Sequence, residues 1–441
     1  MRILIIATWF PPDRAVAAVR PYMFAKYLTK LGHDVTVLCS GMRNTEADRS
    51  LFSEDIGVRV ISYLEKDSSS QEEERAEKST ETHHAENKSR ISFLPVQFRI
   101  PISRVYHFLT HPMWSFRYLK GCRGRYAALK CKLDQMGDEA FDLVFSTYGE
   151  MENIWGGIYA SELFSCKYIQ DFRDGISNDL APHIERWMWD RLEKRALQKA
   201  DVYTAISYGL VEQLSKKTNK PVYTIFNGYE PTSRGKAIQS EKKPVLCFCY
   251  TGSIYSFDNF TPLFHALQEL MDRKIVNFSD VEIHYAGNAF AEIYYQAKKC
   301  GMTEILVNHG YVSRKEAESL QNMADYFLVS RCNTKKLKGV ISGKFFEGIR
   351  AKKPIITLIS GDCPHSELWQ INEQYHYGFC YEQACASEHF PQLVDYLEQA
   401  VLAKQAGKSV AYSPEEKLFC DFRYDTLTKK LETIMTDLVK S

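Results

Sequence analysis

Apolar residues along this chain fall into short unbroken runs, separated by stretches in which they recur at helical spacing. Arg2-Ile3-Leu4-Ile5-Ile6-Ala7 is such a run, of the kind made by a parallel strand covered on both faces. Phe10-Pro11-Pro12-Asp13 breaks it, and helical spacing predicts a helix from about Val19 to Lys30. Gly32 closes that helix, and Asp34-Val35-Thr36-Val37-Leu38 predicts the next strand. Strand, loop, helix and strand in this order are the building block of a doubly wound α/β sheet. Further strands are predicted at 58–62, 143–147, 166–170 and 201–205, with a long helix over about 181–199.

The pattern then stops and restarts. A strand ends in the turn Thr224-Ile225-Phe226-Asn227-Gly228-Tyr229, and a polar stretch of mixed charge runs to Lys243, which reads as a linker over 226–244. A second α/β series follows. It has a strand at 245–250, the glycine loop Thr251-Gly252-Ser253, a helix at 261–271, strands at 281–286 and 304–307, a helix from Ser313 and a strand at 326–330. The expected organisation is an N-terminal Rossmann-like domain over 1–225, the linker, a C-terminal Rossmann-like domain over 245–415 and a last segment over 416–441. In this arrangement the two domains face each other across a cleft.

Two stretches depart from the rhythm. Residues 65–88 carry eight acidic and four basic side chains among many Ser, Thr and Gln, which suits a flexible solvated loop. Residues 90–132 carry nine Lys or Arg and no acid, interleaved with Phe93, Phe98, Tyr106, Phe108, Trp114, Phe116, Tyr118 and Tyr126. Such a mixture suits either an anionic membrane face or a pair of helices packed on the first domain with their basic faces solvated.

Composition narrows the class. A length of 441 residues exceeds one ordinary core, and 45% hydrophobic with 25% charged residues describes a globular protein. The net charge of +1 argues against nucleic acid as a partner. The twelve cysteines are scattered without a C-x-x-C pair, which fits a reduced cytoplasmic compartment. The apolar start reads as a strand and not a signal peptide, and no apolar run reaches the ~18 residues of a membrane span.

The richest candidate for chemistry is the segment from Gly339 to Ile356. Gly339, Ser342 and Gly343 lead into a short helix with Lys344 at its start and Glu347 one turn in, and Pro354 hands over to a strand. A helix N-terminus with unpaired N–H groups and a lysine beside it suits a phosphate. Glu347 could grip sugar hydroxyls or merely complement the helix dipole. Residues 335–353 hold seven basic side chains against one acid, a balance that suits a diphosphate. Other loops at predicted strand ends are Thr251-Gly252-Ser253, Gly287-Asn288 and Gly310-Tyr311-Val312. In the first domain the corresponding positions are Pro11-Pro12-Asp13-Arg14 with Arg20, and Asp171-Phe172-Arg173-Asp174, where Asp171 and Arg173 could equally form a buried structural ion pair. No H-E-x-x-H, G-x-S-x-G, Walker loop or early G-x-G-x-x-G occurs. The absence of D-x-D leaves the phosphate charge to backbone N–H groups and lysine, with no metal or cofactor expected.

Taken together these residues resemble the retaining, nucleotide-sugar-dependent glycosyltransferases of the GT-B fold, specifically the large bacterial family four. The likeness runs through Trp9-Phe10-Pro11-Pro12-Asp13, Gly32-His33-Asp34-Val35-Thr36-Val37-Leu38, Asp171-Phe172-Arg173-Asp174 and Asn227-Gly228-Tyr229. It continues through Tyr250-Thr251-Gly252-Ser253, His309-Gly310-Tyr311-Val312 and Gly343-Lys344-Phe345-Phe346-Glu347 with Lys353-Pro354. The resemblance implies an α/β GT-B fold with a C-terminal helix crossing back to the first domain. It implies that Lys344 with Ser342 and Gly343 holds the diphosphate of a UDP- or GDP-sugar, and that Glu347 holds the ribose. Thr251, Gly252 and Ser253 would approach the phosphates, Tyr311 and Val312 would border the base, with Asn288 and Gly310 nearby. Pro12, Asp13, Arg14, Arg20, Asp171 and Arg173 would serve the acceptor and phosphate side. The acceptor it implies is a polysaccharide or lipid-linked glycan at the inner membrane face.

The chain also departs from that pattern. Gly339 stands where the family often has a second glutamate, and Ser253-Ile254-Tyr255-Ser256-Phe257-Asp258 stands where it often has Arg and Lys. Lys335, Lys336 and Lys338 are then the substitutes for the missing cations. Two other functions fit the same pattern, a nucleotide-sugar epimerase of this fold and a partner subunit without catalysis.

Overall fold

The unbroken apolar runs become buried strands, since Ile3, Leu4, Ile5 and Ile6 are each 0% exposed. A computed structural model describes residues 1–13, 16–41, 56–64, 96–176, 183–231, 245–335, 338–339 and 341–441, with backbone alone at 96–114 and 183–186. The expected loop at 65–88, Arg14, Lys336 and most of the expected linker lie outside the described residues. The chain divides into two compact units. One is Met1–Ile206 with Val211–Ile225 and Thr428–Ser441, and the other is Ser207–Leu210 with Phe226–Leu427.

The first unit holds β1 (Arg2–Ala7), β2 (Asp34–Cys39), β3 (Arg59–Ser62), β4 (Leu143–Tyr148), β5 (Lys167–Phe172), β6 (Val202–Ala205) and β7 (Val222–Thr224). They form one parallel sheet in the order β3-β2-β1-β4-β5-β6-β7. In β1, Ile3 lies beside Val35 on one side and Leu143 on the other, so the strand is interior to the sheet, and the burial of successive residues Ile3 to Ile6 shows that both of its faces are covered.

The helices of this part are α1 (Val19–Lys30), α2 (Val96–Gln135), α3 (Met151–Leu163), α4 (His183–Ala196) and α5 (Tyr208–Ser215). Gly32 ends α1 at φ +87°, with its N–H on the Thr29 carbonyl at 2.9 Å and the His33 N–H on the Leu28 carbonyl at 3.1 Å. That is a Schellman closure, which an L side chain at this φ would strain. The stretch expected as membrane face or helix pair is a single 40-residue helix, α2. It lies against α3, where Gly156 leaves room for Leu129: a Cβ there would stand 2.5 Å from a Leu129 methyl.

The second unit holds β8 (Leu246–Thr251), β9 (Val281–Ala286), β10 (Leu306–Asn308), β11 (Tyr326–Cys332), β12 (Ile355–Ser360) and β13 (Gly378–Glu382). The sheet is parallel, in the order β10-β9-β8-β11-β12-β13. The strand expected at 304–307 begins later, because a single helical turn at Thr303–Ile305 precedes it. Helices α6 (Thr261–Asp272), α7 (Phe290–Lys299), α8 (Arg314–Met323), α9 (Gly343–Arg350), α10 (Glu367–Tyr375), α11 (Ala386–Gln405) and α12 (Leu418–Asp421) accompany it. The chain ends in α13 (Tyr424–Lys440), most of which groups with the first unit. Leu246, Phe248, Leu263, Leu267, Ile283, Leu328 and Leu397 anchor the core of the second unit. α8 opens with a capping box, in which Ser313 Oγ accepts from the Glu316 N–H at 3.3 Å and the Glu316 carboxylate accepts from the Ser313 N–H at 2.8 Å.

Each sheet reverses its direction of winding once, between β1 and β4 in the first unit and between β8 and β11 in the second. Open α/β sheets bind ligands beyond the carboxyl ends of their strands at such a point.

Candidate ligand site at the strand ends of the second unit

Beyond β8 the chain turns through Gly252 at φ +107°, with the Gly252 N–H on the Ala286 carbonyl at 2.7 Å and its own carbonyl accepting from Tyr285 Oη at 3.0 Å. A Cβ on Gly252 would stand 3.1 Å from Cε of Lys344, so glycine lets the lysine stem lie against the loop. Lys344 itself comes from the first turn of α9. Ser342 caps that helix by accepting from the Lys344 N–H at 3.2 Å, and Gly343 is exposed. The Lys344 ammonium reaches back to donate to the Ser253 carbonyl at 3.2 Å and sits 5.0 Å from the centre of the Tyr250 ring. Burial, and then the neighbouring Arg331 cation, hold its pKa below the ordinary lysine value, with Asp258 and Glu347 opposing.

One turn on, Glu347 accepts from Gln321 Nε2 at 3.0 Å, and the same amide donates to Thr251 Oγ1 at 2.9 Å. Arg350 completes the chain, donating to Gln321 Oε1 at 3.3 Å and to Glu318 at 2.7 Å. Burial raises the Glu347 carboxyl above its usual range, with Arg350 and Lys344 opposing. Thr251, Gly252, Ser253, Ser342, Gly343, Lys344 and Glu347 are therefore brought together. What sequence reading missed is the set that holds them: Gln321, Arg331, Asp258 and Arg350. Gln321 is the one fully buried residue of the otherwise polar α8, and a helix face gives no sign of such a role in advance.

The remaining predicted residues of this unit lie along the neighbouring strand ends. The Gly310 carbonyl accepts from the Gly287 N–H at 2.8 Å, and the Gly310 N–H donates to Asn308 Oδ1 at 2.9 Å. Asn288 is exposed, Val312 is half-buried, and Tyr311 is 91% exposed, an aromatic ring with little protein around it. Lys335 and Lys338 are exposed.

The first-unit residues behave differently. Arg20 and Asp171, 2% and 0% exposed, pair through two hydrogen bonds of 2.9 and 2.7 Å. Asp171 also accepts from Thr147 and Thr204, and Arg20 donates to the Ile225 carbonyl at 2.8 Å. The buried ion pair expected between Asp171 and Arg173 thus forms with Arg20 instead. Arg173 donates to the Ala17 carbonyl at 2.6 Å and stands 6.0 Å from the Trp9 ring. Pro12 is exposed and Asp13 buried.

Among the described residues two groups have metal-ligand atoms within 4.8 Å of one another, Cys247–Glu282–His284 and Cys122–Glu150–Glu152. The first is tied into a relay, with His284 bonded to His309 at 2.9 Å and to Glu282 at 3.0 Å. The second surrounds the Arg125 guanidinium.

No protein-family model and no curated protein sequence matches this chain. Its fold is similar to that of sucrose-phosphate synthase from Thermosynechococcus elongatus, with a TM-score of 0.61 at 12% identity over 99% of this chain and 98% of that one. HepE from Anabaena, in complex with UDP, gives 0.59 at 11% identity over 99% of this chain and 100% of its own. The lipopolysaccharide outer core galactosyltransferase WaaB, in its apo form, gives 0.54 at 13% identity over 99% of each chain. The expected fold class holds: the chain has the α/β GT-B fold, with parallel sheets of seven and six strands.

Proposed function

We propose that this chain is a glycosyltransferase that transfers a sugar from a UDP- or GDP-sugar, with retention of configuration, as in family four. The observation that carries the reading is the meeting of Lys344, the N-terminus of α9, Gly252 and Glu347 beyond the β8/β11 switch point. The helix N-terminus and the ammonium suit the diphosphate, and Glu347, oriented by Gln321, suits the ribose hydroxyls. Neutralising the leaving diphosphate is the largest catalytic term such a site can supply without metal. HepE, of the same fold, is known in complexes with UDP, with UDP and glucose, and with UDP-glucose, which supports a uridine donor.

The acceptor in this reading is a polysaccharide or lipid-linked glycan, met at the cytoplasmic face of a membrane through the basic face of α2. Among the described residues no helix is long and apolar enough to cross a membrane. Calorimetry across a panel of UDP- and GDP-sugars tests the donor. Binding to at least one member is expected, reduced about tenfold or more by Lys344→Ala and by Glu347→Ala, each of which removes a charge-assisted contact. A panel without binding ends the transferase reading. Turnover with a bound donor and a glycan acceptor, followed by NMR of the anomeric proton, decides retention.

A further inference from the structure

Arg331 is the next-to-last residue of β11, on the strand that flanks β8 at the switch point, and it is 8% exposed. Its nearest opposite charge is Asp258, 3% exposed, on the loop that follows β8. The two come within 3.8 Å, between Arg331 Nη1 and Asp258 Oδ1, which is too far for a hydrogen bond. Among the described residues Arg331 Nε has no hydrogen-bond partner, and neither does Asp258 Oδ1. Asp258 uses its other oxygen, which accepts from the Tyr255 N–H at 2.9 Å and from Tyr250 Oη at 3.4 Å. The Arg331 guanidinium lies 5.7 Å from the centre of the Tyr255 ring.

The same chain shows what a completed structural pair looks like. Arg20 and Asp171 are bonded twice, and every oxygen of that carboxylate has further partners. A buried charge pair holds a fold well only when its hydrogen bonds are made. Arg331 and Asp258 are close enough to offset each other's charge and too far apart to satisfy each other. An orphaned buried guanidinium N–H calls for a missing partner, and an anion supplies one.

The surroundings say which anion. Lys344 is near enough for Arg331 to depress its pKa, and the Lys344 ammonium makes its direct contacts, among the described residues, with the Ser253 carbonyl and the Tyr250 ring. Lys344, Arg331 and the N-terminus of α9 stand with two carboxylates, Asp258 and Glu347, but Glu347 is also held by Gln321 and offset by Arg350, which leaves a cationic surplus that suits a diphosphate. We infer that Arg331 is the second cation of this site and binds the diphosphate of the ligand together with Lys344, with Asp258 as its counter-charge. This rests on the donor reading above. It also accounts for the glycine loop, in which Ser253 to Asp258 carries no cation: the charge arrives from the adjacent strand, while Lys335 and Lys338 stay exposed.

The test is calorimetry on the full chain with UDP, GDP, UMP, GMP and inorganic pyrophosphate. Wild type should bind the nucleoside diphosphate about tenfold or more tightly than its monophosphate, as one further charge-assisted bidentate contact allows. Arg331→Ala should remove most of that difference and leave monophosphate affinity within about twofold, because the base, ribose and first phosphate keep their contacts. Arg331→Ala leaves Asp258 buried and uncompensated, so the double variant Arg331→Ala/Asp258→Asn serves as the folded control and should show the same loss of discrimination. Asp258→Asn alone should hold or tighten diphosphate binding. Full discrimination in both Arg331 variants overturns the assignment of Arg331 and leaves the donor reading standing. If wild type binds no nucleotide the donor reading falls. Pyrophosphate binding that disappears with Arg331→Ala would then still support the anion site, and pyrophosphate binding that is absent or indifferent to Arg331 would overturn it.

Discussion

At position 339 the backbone holds φ at +73°, and a Cβ there would lie 2.8 Å from the Cα of Gly209 and 3.1 Å from Oε2 of Glu367. The missing glutamate noted in the sequence is therefore a steric fact, since an L side chain at this φ meets fixed backbone. The carboxylate in this neighbourhood is Glu367, 8% exposed, which accepts from the backbone N–H groups of Tyr208 at 2.6 Å and Gly209 at 3.2 Å. Burial pushes its pKa from the ordinary 4.5 up to about 7, with the two N–H bonds opposing. A raised carboxyl binds more protons in the folded than in the unfolded state between those two values. Stability from this group therefore falls as pH rises from about 4.5 to 7 and levels off above. The full effect is at most about 3 kcal/mol. Denaturant unfolding of wild type and Glu367→Gln at pH 5 and pH 8 should show the wild type losing ground to the variant as pH rises, and parallel profiles would refute it. Glu367 was not legible in the sequence, because a glutamate in the first turn of a helix reads as a solvated dipole partner. The position of Lys344 was legible, because it depends only on a local feature, a glycine-preceded helix start.

The strands were legible as elements because a parallel strand buried on both faces leaves an unbroken apolar run, as β1 and β8 do. The helix α2 was less legible. Pro101, Pro112, Gly121 and Gly124 break the helical pattern, and the structure carries the helix through all four positions. Its inner face, Ser115, Cys122, Leu129 and Leu133, is buried at helical spacing and follows from packing on α3. Part of its basic character is used internally, since Arg125 donates to Glu152 at 2.7 Å and Glu152 is 0% exposed. Arg117, Lys120 and Arg123 remain exposed beside Phe116, which is 69% exposed. If this face meets anionic lipid, flotation with phosphatidylglycerol vesicles should recover the protein at low salt. Recovery should fall several-fold near ~0.5 M salt, where the screening length is below about 8 Å. Replacing Arg117, Lys120 and Arg123 by Glu should abolish it, because each basic residue near such a surface is worth about 1 kcal/mol. Equal recovery of that triple variant, or recovery on neutral phosphatidylcholine, would assign α2 a packing role alone.

At the scale of the whole chain, the order of strands was the part that the apolar pattern alone could not settle. Alternating strands and helices fix a parallel sheet, and right-handed crossovers restrict its order, but the reversal beside β1 and β8 depends on which face each helix covers. Both sheets resolve this in the same way, with the first strand of each unit in the interior and the fourth on its other side. Each unit has its own buried core, that of the second running from Leu246 to Val401. Two separately built cores predict two unfolding steps, and the residues proposed for the donor nucleotide all lie in the second unit. A nucleoside diphosphate at one hundred times its dissociation constant should therefore add about 2.7 kcal/mol to the stability of that unit. Scanning calorimetry should show one transition rising by roughly 5–10 °C and the other nearly unchanged. Lys344→Ala should remove the shift at the same nucleotide concentration while leaving both unliganded transitions close to wild type, because among the described residues the Lys344 side chain makes one hydrogen bond, to a carbonyl. A shift that survives Lys344→Ala would place the nucleotide somewhere other than the start of α9.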